Sequence, residues 1–200
     1  MVNTLQEIAQ RIAICTDCPL SKSRNRVVPG DGPDDADLMF IGEAPGYYED
    51  QQGQPFVGPA GRFLEQLLAS IGLDRSQVFI TNVVKCRPPG NRDPLPNEIS
   101  SCSKYLTRQL ELLNPKVVVT LGRHSLGRFL PDKAISRVHG KPLVVEGRTI
   151  FPMYHPAAAL HQQRYRQTII QDMRAIPDLL RGVPETQESP SPQDTQLHMF

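Results

Sequence analysis

Four short runs of nearly unbroken apolar residues punctuate the chain: "DLMFIG" at 37–42, "QVFITNVV" at 77–84, "KVVVTLG" at 116–122 and "TIFPMYHP" at 149–156. Between them, apolar residues recur every three or four positions. Leu5, Ile8 and Ile12 share one face of a helix whose start carries Thr4 and Glu7 in capping-box spacing. Residues 60–71 make a second helix, stopped by Gly72. A third runs from Asn97 with Ile99, Cys102, Leu106, Leu110 and Leu113 inward, and a fourth turns Tyr165, Ile169, Met173 and Ile176 inward. Continuous apolar strands are buried on both faces, and strands alternating with helices form parallel sheets. The pattern therefore predicts an α/β fold, a three-layer α/β/α sandwich around a central four-stranded, mostly parallel sheet. Residues 21–36 read as loop. Residues 86–96, with four prolines in eleven positions, cannot be regular structure.

Ligands of such sheets bind outside the carboxyl ends of the strands. That selects "GEAPG" after the first strand, Asn82 at the end of the second, "LGRHS" after the third and "HPAAAL" after the fourth. No G-x-G-x-x-G follows a strand and there is no Walker A motif, so neither a dinucleotide site nor a P-loop is supported.

Composition sharpens this little. The 200 residues suffice for one domain with a real core. Residues 183–200, "VPETQESPSPQDTQLHMF", are polar and Pro-rich and are expected to be disordered, which gives a domain over 1–182 and a tail over 183–200. No run approaches the roughly 20 apolar residues of a membrane span. The start carries Glu7 and Arg11 through a helical pattern, unlike a signal peptide. The expectation is a cytoplasmic protein, nucleoid-associated if it binds DNA. The net charge is +1, but the tail holds Glu185, Glu188 and Asp194 without Lys or Arg, so the body carries +4. That mild basic bias is compatible with nucleic acid.

The chemistry begins with "CTDCP". Cys15 and Cys18 form a C-x2-C pair, 67 residues separate them from Cys86, and 15 more precede Cys102. Disulfides are rare in the cytosol, and four thiolates can hold zinc or an iron–sulfur cluster. Structural zinc sites usually use two close pairs, whereas here the second pair spans a loop and a helix. Four unrelated core cysteines are the plain alternative.

"GEAPG", a Phe soon after it, an Asn ending the next strand and "HP" after the last strand together resemble the uracil-DNA glycosylases. The cysteine spacing resembles their iron–sulfur branch, family 4, over about residues 1–180. The resemblance implies hydrolysis of the N-glycosidic bond of uracil in DNA, and a [4Fe-4S] cluster on Cys15, Cys18, Cys86 and Cys102. It implies Glu43 as the acid that orients water and stabilises a cationic sugar, and His155 as the donor to uracil O2. Gly42, Phe56 and Asn82 would bind uracil, with Phe56 stacked on the ring and Asn82 meeting O4 and N3–H. Glu49 would crowd the C5 position against thymine. Lys85, Arg87, Arg92 and Arg123 flank the strand ends as candidate phosphate contacts. Pro156, Ala159 and Leu160 would press into the strand from which the base is flipped. A covalent-trapping branch resembles this one but carries a nucleophilic His between its third and fourth cysteines. Residues 87–101 hold none, so turnover without a stable protein–DNA bond is expected.

The last five residues, "QLHMF", resemble peptides that dock on the bacterial sliding clamp, with Gln196, Leu197, Met199 and Phe200 as contacts. A monomer acting on single- or double-stranded uracil-containing DNA is the expectation. A non-catalytic iron–sulfur protein that binds nucleic acid or transfers electrons is the alternative.

Overall fold

In the computed structural model, which describes residues 3–182, helix α1 (Leu5–Ala13) begins where its sequence signature places it. The Thr4 hydroxyl accepts the Glu7 N–H at 3.1 Å, and the Glu7 carboxylate takes the Asn3 N–H at 2.7 Å. There follow β1 (Leu38–Gly42), α2 (Tyr47–Gln52), α3 (Pro59–Ser70), β2 (Phe79–Asn82), α4 (Pro96–Leu113), β3 (Val117–Leu121), α5 (Arg123–Gly127) and α6 (Ile135–Val138). Then come β4 (Leu143–Val145), β5 (Arg148–Met153), α7 (Pro156–His161), α8 (Gln163–Met173) and α9 (Ile176–Arg181).

The sheet order is β2-β1-β3-β5-β4. The first four strands run parallel, and β4 is antiparallel to β5. The sheet thus has five strands, not the four expected. The extra one, β4, has three residues and precedes a tight turn at Glu146 and Gly147, whose φ values are +49° and +75°. Two positive φ values in succession are what a two-residue hairpin loop requires.

Alternation along each buried strand divides the apolar residues between two cores. Leu38, Phe40, Val117, Val119 and Phe151 face α3, α8 and α9. Met39, Ile41, Val118 and Ile150 face the layer of α1 and α4, where the cysteines lie. The fold is the expected α/β/α sandwich. Among the described residues, no helix is long and apolar enough to cross a membrane. The clamp-like peptide at 196–200 lies outside the described residues.

Candidate active site

The carboxyl ends of β1 and β2 and the segment after β5 enclose a cavity of about 430 Å³, within the usual range of small-molecule sites. Glu43, Glu49, Phe56, Asn82 and His155 line it, joined by Pro88, Asn91 and Arg92 from the Pro-rich loop. Five residues scattered over more than a hundred positions thus meet in one place.

Asn82 is the last residue of β2, paired in register with Gly42 of β1. Its side chain is buried, and among the described residues its Oδ1 has no hydrogen-bond partner. A buried amide oxygen without a partner is costly unless a ligand satisfies it. Gly42 is small for a local reason: a Cβ there would lie 2.4 Å from Asn82 Oδ1 and 2.7 Å from the Phe56 ring.

His155 precedes Pro156 and is extended, as a residue before proline should be. Its Nδ1 accepts the Ala157 N–H at 3.1 Å. In the neutral ring the proton therefore sits on Nε2, leaving a donor. Burial lowers its pKa from 6.5 to about 4, which keeps the ring neutral near pH 7. Gly122, at φ +91°, leaves room for it, because a Cβ there would come within 3.2 Å of the His155 Cβ. The Phe56 and His155 rings lie stacked, with centroids 5.5 Å apart.

Glu43 begins the turn after β1. Burial raises its pKa above 4.5, against the pull of His124, whose Nε2 lies 3.7 Å from the carboxylate. Asp93 and His124 complete a cluster that the sequence reading missed; the signal available was that His124 lies in the strand-end stretch "LGRHS". Ligand atoms of Glu43, Asp93 and His124 lie within 4.8 Å of one another. Arg123, however, pairs with Asp93 and donates to His124 at 3.1 Å, supplying the positive charge that a metal would otherwise bring.

Glu49 also lines the cavity, but its carboxylate is occupied. It accepts N–H groups from Gly46 at 3.1 Å and from Val57 and Gly58 at 2.9 Å each.

The expected phosphate contacts divide. Lys85 is a correction. It is fully buried, and its Nζ donates to Thr81 Oγ1, the Asn82 carbonyl and Gln109 Oε1 at 2.6–2.7 Å, so it cannot reach DNA. Burial brings its pKa down to about 7. Arg87 lies over the exposed Tyr47 ring and donates to Asn91 Oδ1 at 2.7 Å. Arg92 is held by buried Glu98 through contacts of 2.7 and 2.9 Å. Arg123 is largely exposed. "HPAAAL" is also a correction in part. It forms α7, with Pro156 and Ala159 buried, leaving Leu160 exposed.

Cys15, Cys18, Cys86 and Cys102 line a second cavity, together with Arg24, Lys85 and Tyr105. Among the described residues, these cysteines do not make up a group whose sulfurs lie within 4.8 Å of one another, the closeness that one tetrahedral zinc with bonds of about 2.3 Å would impose. Burial pushes the Cys102 thiol up to about 11 and raises Cys86 as well. Holding them as thiolates calls for a cationic group between them. Arg24 Nη1 donates to Cys86 Sγ at 3.2 Å.

Fold and site define an α/β protein whose mostly parallel sheet presents a polar-lined cavity at its strand ends, with four thiols lining a second cavity. A profile of the Uracil DNA glycosylase superfamily matches residues 29–174, and the chain belongs to that family. It is 46% identical over 189 residues to a Type-4 uracil-DNA glycosylase of Sulfurisphaera tokodaii, covering 89% of this chain and 86% of the relative. It is 45% identical to the Type-4 enzyme of Archaeoglobus fulgidus, with 89% and 94% coverage, and 38% identical to that of Thermotoga maritima, with 88% and 95%.

Proposed function

We propose that the protein is a DNA-repair glycosylase that hydrolyses the N-glycosidic bond of uracil in DNA, releasing uracil and leaving an abasic site. The observation that carries this reading is Asn82, which is buried, lines the cavity and has an Oδ1 without a partner among the described residues. Uracil N3–H would donate to that oxygen and uracil O4 would accept from the amide N–H. Cytosine reverses this pattern, and a site of this kind discriminates by roughly 10⁴–10⁵. Phe56 stacks on the flipped base, a contact worth about 1–3 kcal/mol. As the bond breaks, negative charge gathers on the ring. His155 Nε2–H donates to O2 at that moment, contributing about 2.7–4 kcal/mol by analogy with one oxyanion-hole donor. Glu43 orients the attacking water and, in its carboxylate form, stabilises the cationic sugar. Glu49 shapes the side of the site facing the base C5 by fixing the backbone at 57 and 58. Phosphates meet Arg87 and Arg123, and Leu160 fills the gap left by the flipped base.

Cys15, Cys18, Cys86 and Cys102 would hold a [4Fe-4S] cluster, which ties α1 to the loop after β2 and contributes no step to the hydrolysis. The domain is assigned to 1–182 in a monomer acting at the nucleoid. The tail, through Gln196, Leu197, Met199 and Phe200, is assigned to sliding-clamp docking. Loss of clamp pull-down on Phe200→Ala is the expected result.

The reading is tested with matched oligonucleotides carrying uracil or thymine. Wild type is expected to release uracil alone. Asn82→Asp, which loses the donor to O4, should lose uracil activity or gain activity on cytosine. A brown, iron-loaded protein that releases nothing from either oligonucleotide would sink the proposal.

A further inference from the structure

Phe56 has φ +54°, a left-handed conformation that a bulky residue adopts only when its surroundings impose it. Three groups do so. Downstream, Glu49 takes the N–H groups of residues 57 and 58. Upstream, the guanidinium of Arg75 donates to the carbonyls of Pro55 and Phe56, the latter at 3.1 Å. From below, the bare Cα of Gly61 on α3 accommodates the same carbonyl, since a Cβ there would lie 1.8 Å from Phe56 O. Arg75 is itself braced, its Nε 3.4 Å from Asp31 and its Nη1 3.8 Å from Glu65. It sits on the short turn Arg75–Gln77, before β2, and lines no part of the substrate cavity.

We infer that Arg75 is a positioning residue for base excision: by clamping the Pro55 and Phe56 carbonyls it holds the strained backbone that presents the Phe56 ring to the base. A relaxed Phe56 would swing its ring away from Gly42 and Asn82, whose side of the cavity it now closes. Lysine cannot replace the planar fork, because one ammonium on a flexible stem does not serve two carbonyls and two carboxylates together. The inference rests on the uracil reading of the cavity.

The test is a double-mutant cycle on single-turnover uracil release, using Arg75→Met, Phe56→Ala and the pair. A 1 Å misplacement near the chemistry costs up to about 10²-fold, and Arg75→Met is expected to lose between about 10- and 10²-fold. In the Phe56→Ala background the same change should cost little, because no ring is left to place. Arg75→Lys should recover only part of the loss. If Arg75→Met does not fold, Arg75→Lys replaces it in the cycle. An Arg75 effect of equal size with and without the ring would overturn the inference, as would an Arg75→Met enzyme with wild-type rate. Failure of wild type to release uracil would instead defeat the functional reading. Full activity of Phe56→Ala alone would defeat the stacking role of the ring.

Discussion

At the scale of single residues, Glu43 and His155 are displaced in opposite directions, and only Glu43 is moved towards neutrality. Burial holds His155 at about 4, so its Nε2–H is in place throughout the neutral range. Burial raises Glu43, so protonation begins above its ordinary 4.5 as pH falls. The kcat/KM profile for uracil release is expected to pass through 6.5 without inflection and to fall on an acid limb set by Glu43. Glu43→Gln should remove that limb together with most of the rate. A limb near 6.5 that survives in Glu43→Gln would contradict the assignment. The lowered His155 value also carries a stability consequence. The unfolded chain takes up this proton first, so the contribution to stability is complete above 6.5 and declines as pH falls towards 4. His155→Asn should flatten the pH dependence of Tm across that window. Gly42→Ala places a methyl between Asn82 and the Phe56 ring. It is expected to cut uracil release by about 10²-fold while leaving Tm within a few degrees of wild type, as measured by calorimetry alongside the rate.

At the scale of elements, the loop between β2 and α4 depends on one buried acid. Glu98, in the first turn of α4, accepts both arms of Arg92 and the Leu95 N–H. The Arg92 guanidinium holds the Glu98 pKa below 4.5. That contribution is present above 4.5 and is lost as pH falls through the lower folded value. Glu98→Ala leaves the Leu95 N–H without its acceptor and the Arg92 guanidinium with the Asp93 carbonyl alone, and a loss of about 1–3 kcal/mol in urea unfolding is expected. The elements differ in how plainly the sequence announces them. β1, β2, β3 and β5 are buried on both faces, so periodicity alone identifies them. β4 escaped because it has three residues, with Val144 57% exposed, and its main signal is the turn at Glu146 and Gly147. Helices α2, α5 and α6 are too short to show a period. Site residues fixed by a strand end, such as Asn82, were legible for the same reason the strands were. Lys85 was misread because its neighbours Arg87 and Arg92 made the stretch look basic and exposed, whereas burial continues past β2 through Val84 to Cys86. Asp93 and Arg75 gave no local signal, since each acquires meaning only from groups brought close by the fold.

At the scale of the whole molecule, the four cysteines belong to the second core, which α1 and α4 share. With the cluster proposed above, Cys86→Ala should give a colourless protein. Its amide exchange should rise in α1 and in residues 86–95, while β1, β3 and β5 stay protected, as read by exchange mass spectrometry. Equal loss of protection in the sheet would place the cluster at the centre of global stability instead. The order of the sheet carries a further consequence, for biosynthesis. After β1 and β2 have paired, β3 joins the free edge of β1, and the hairpin of β4 and β5 joins the free edge of β3. Each later unit, β3 and then the β4–β5 hairpin, is added at the growing side in the order in which the ribosome delivers it. No pairing made early has to open to admit a later strand, so the nascent chain can lay down its sheet from one side to the other while synthesis continues.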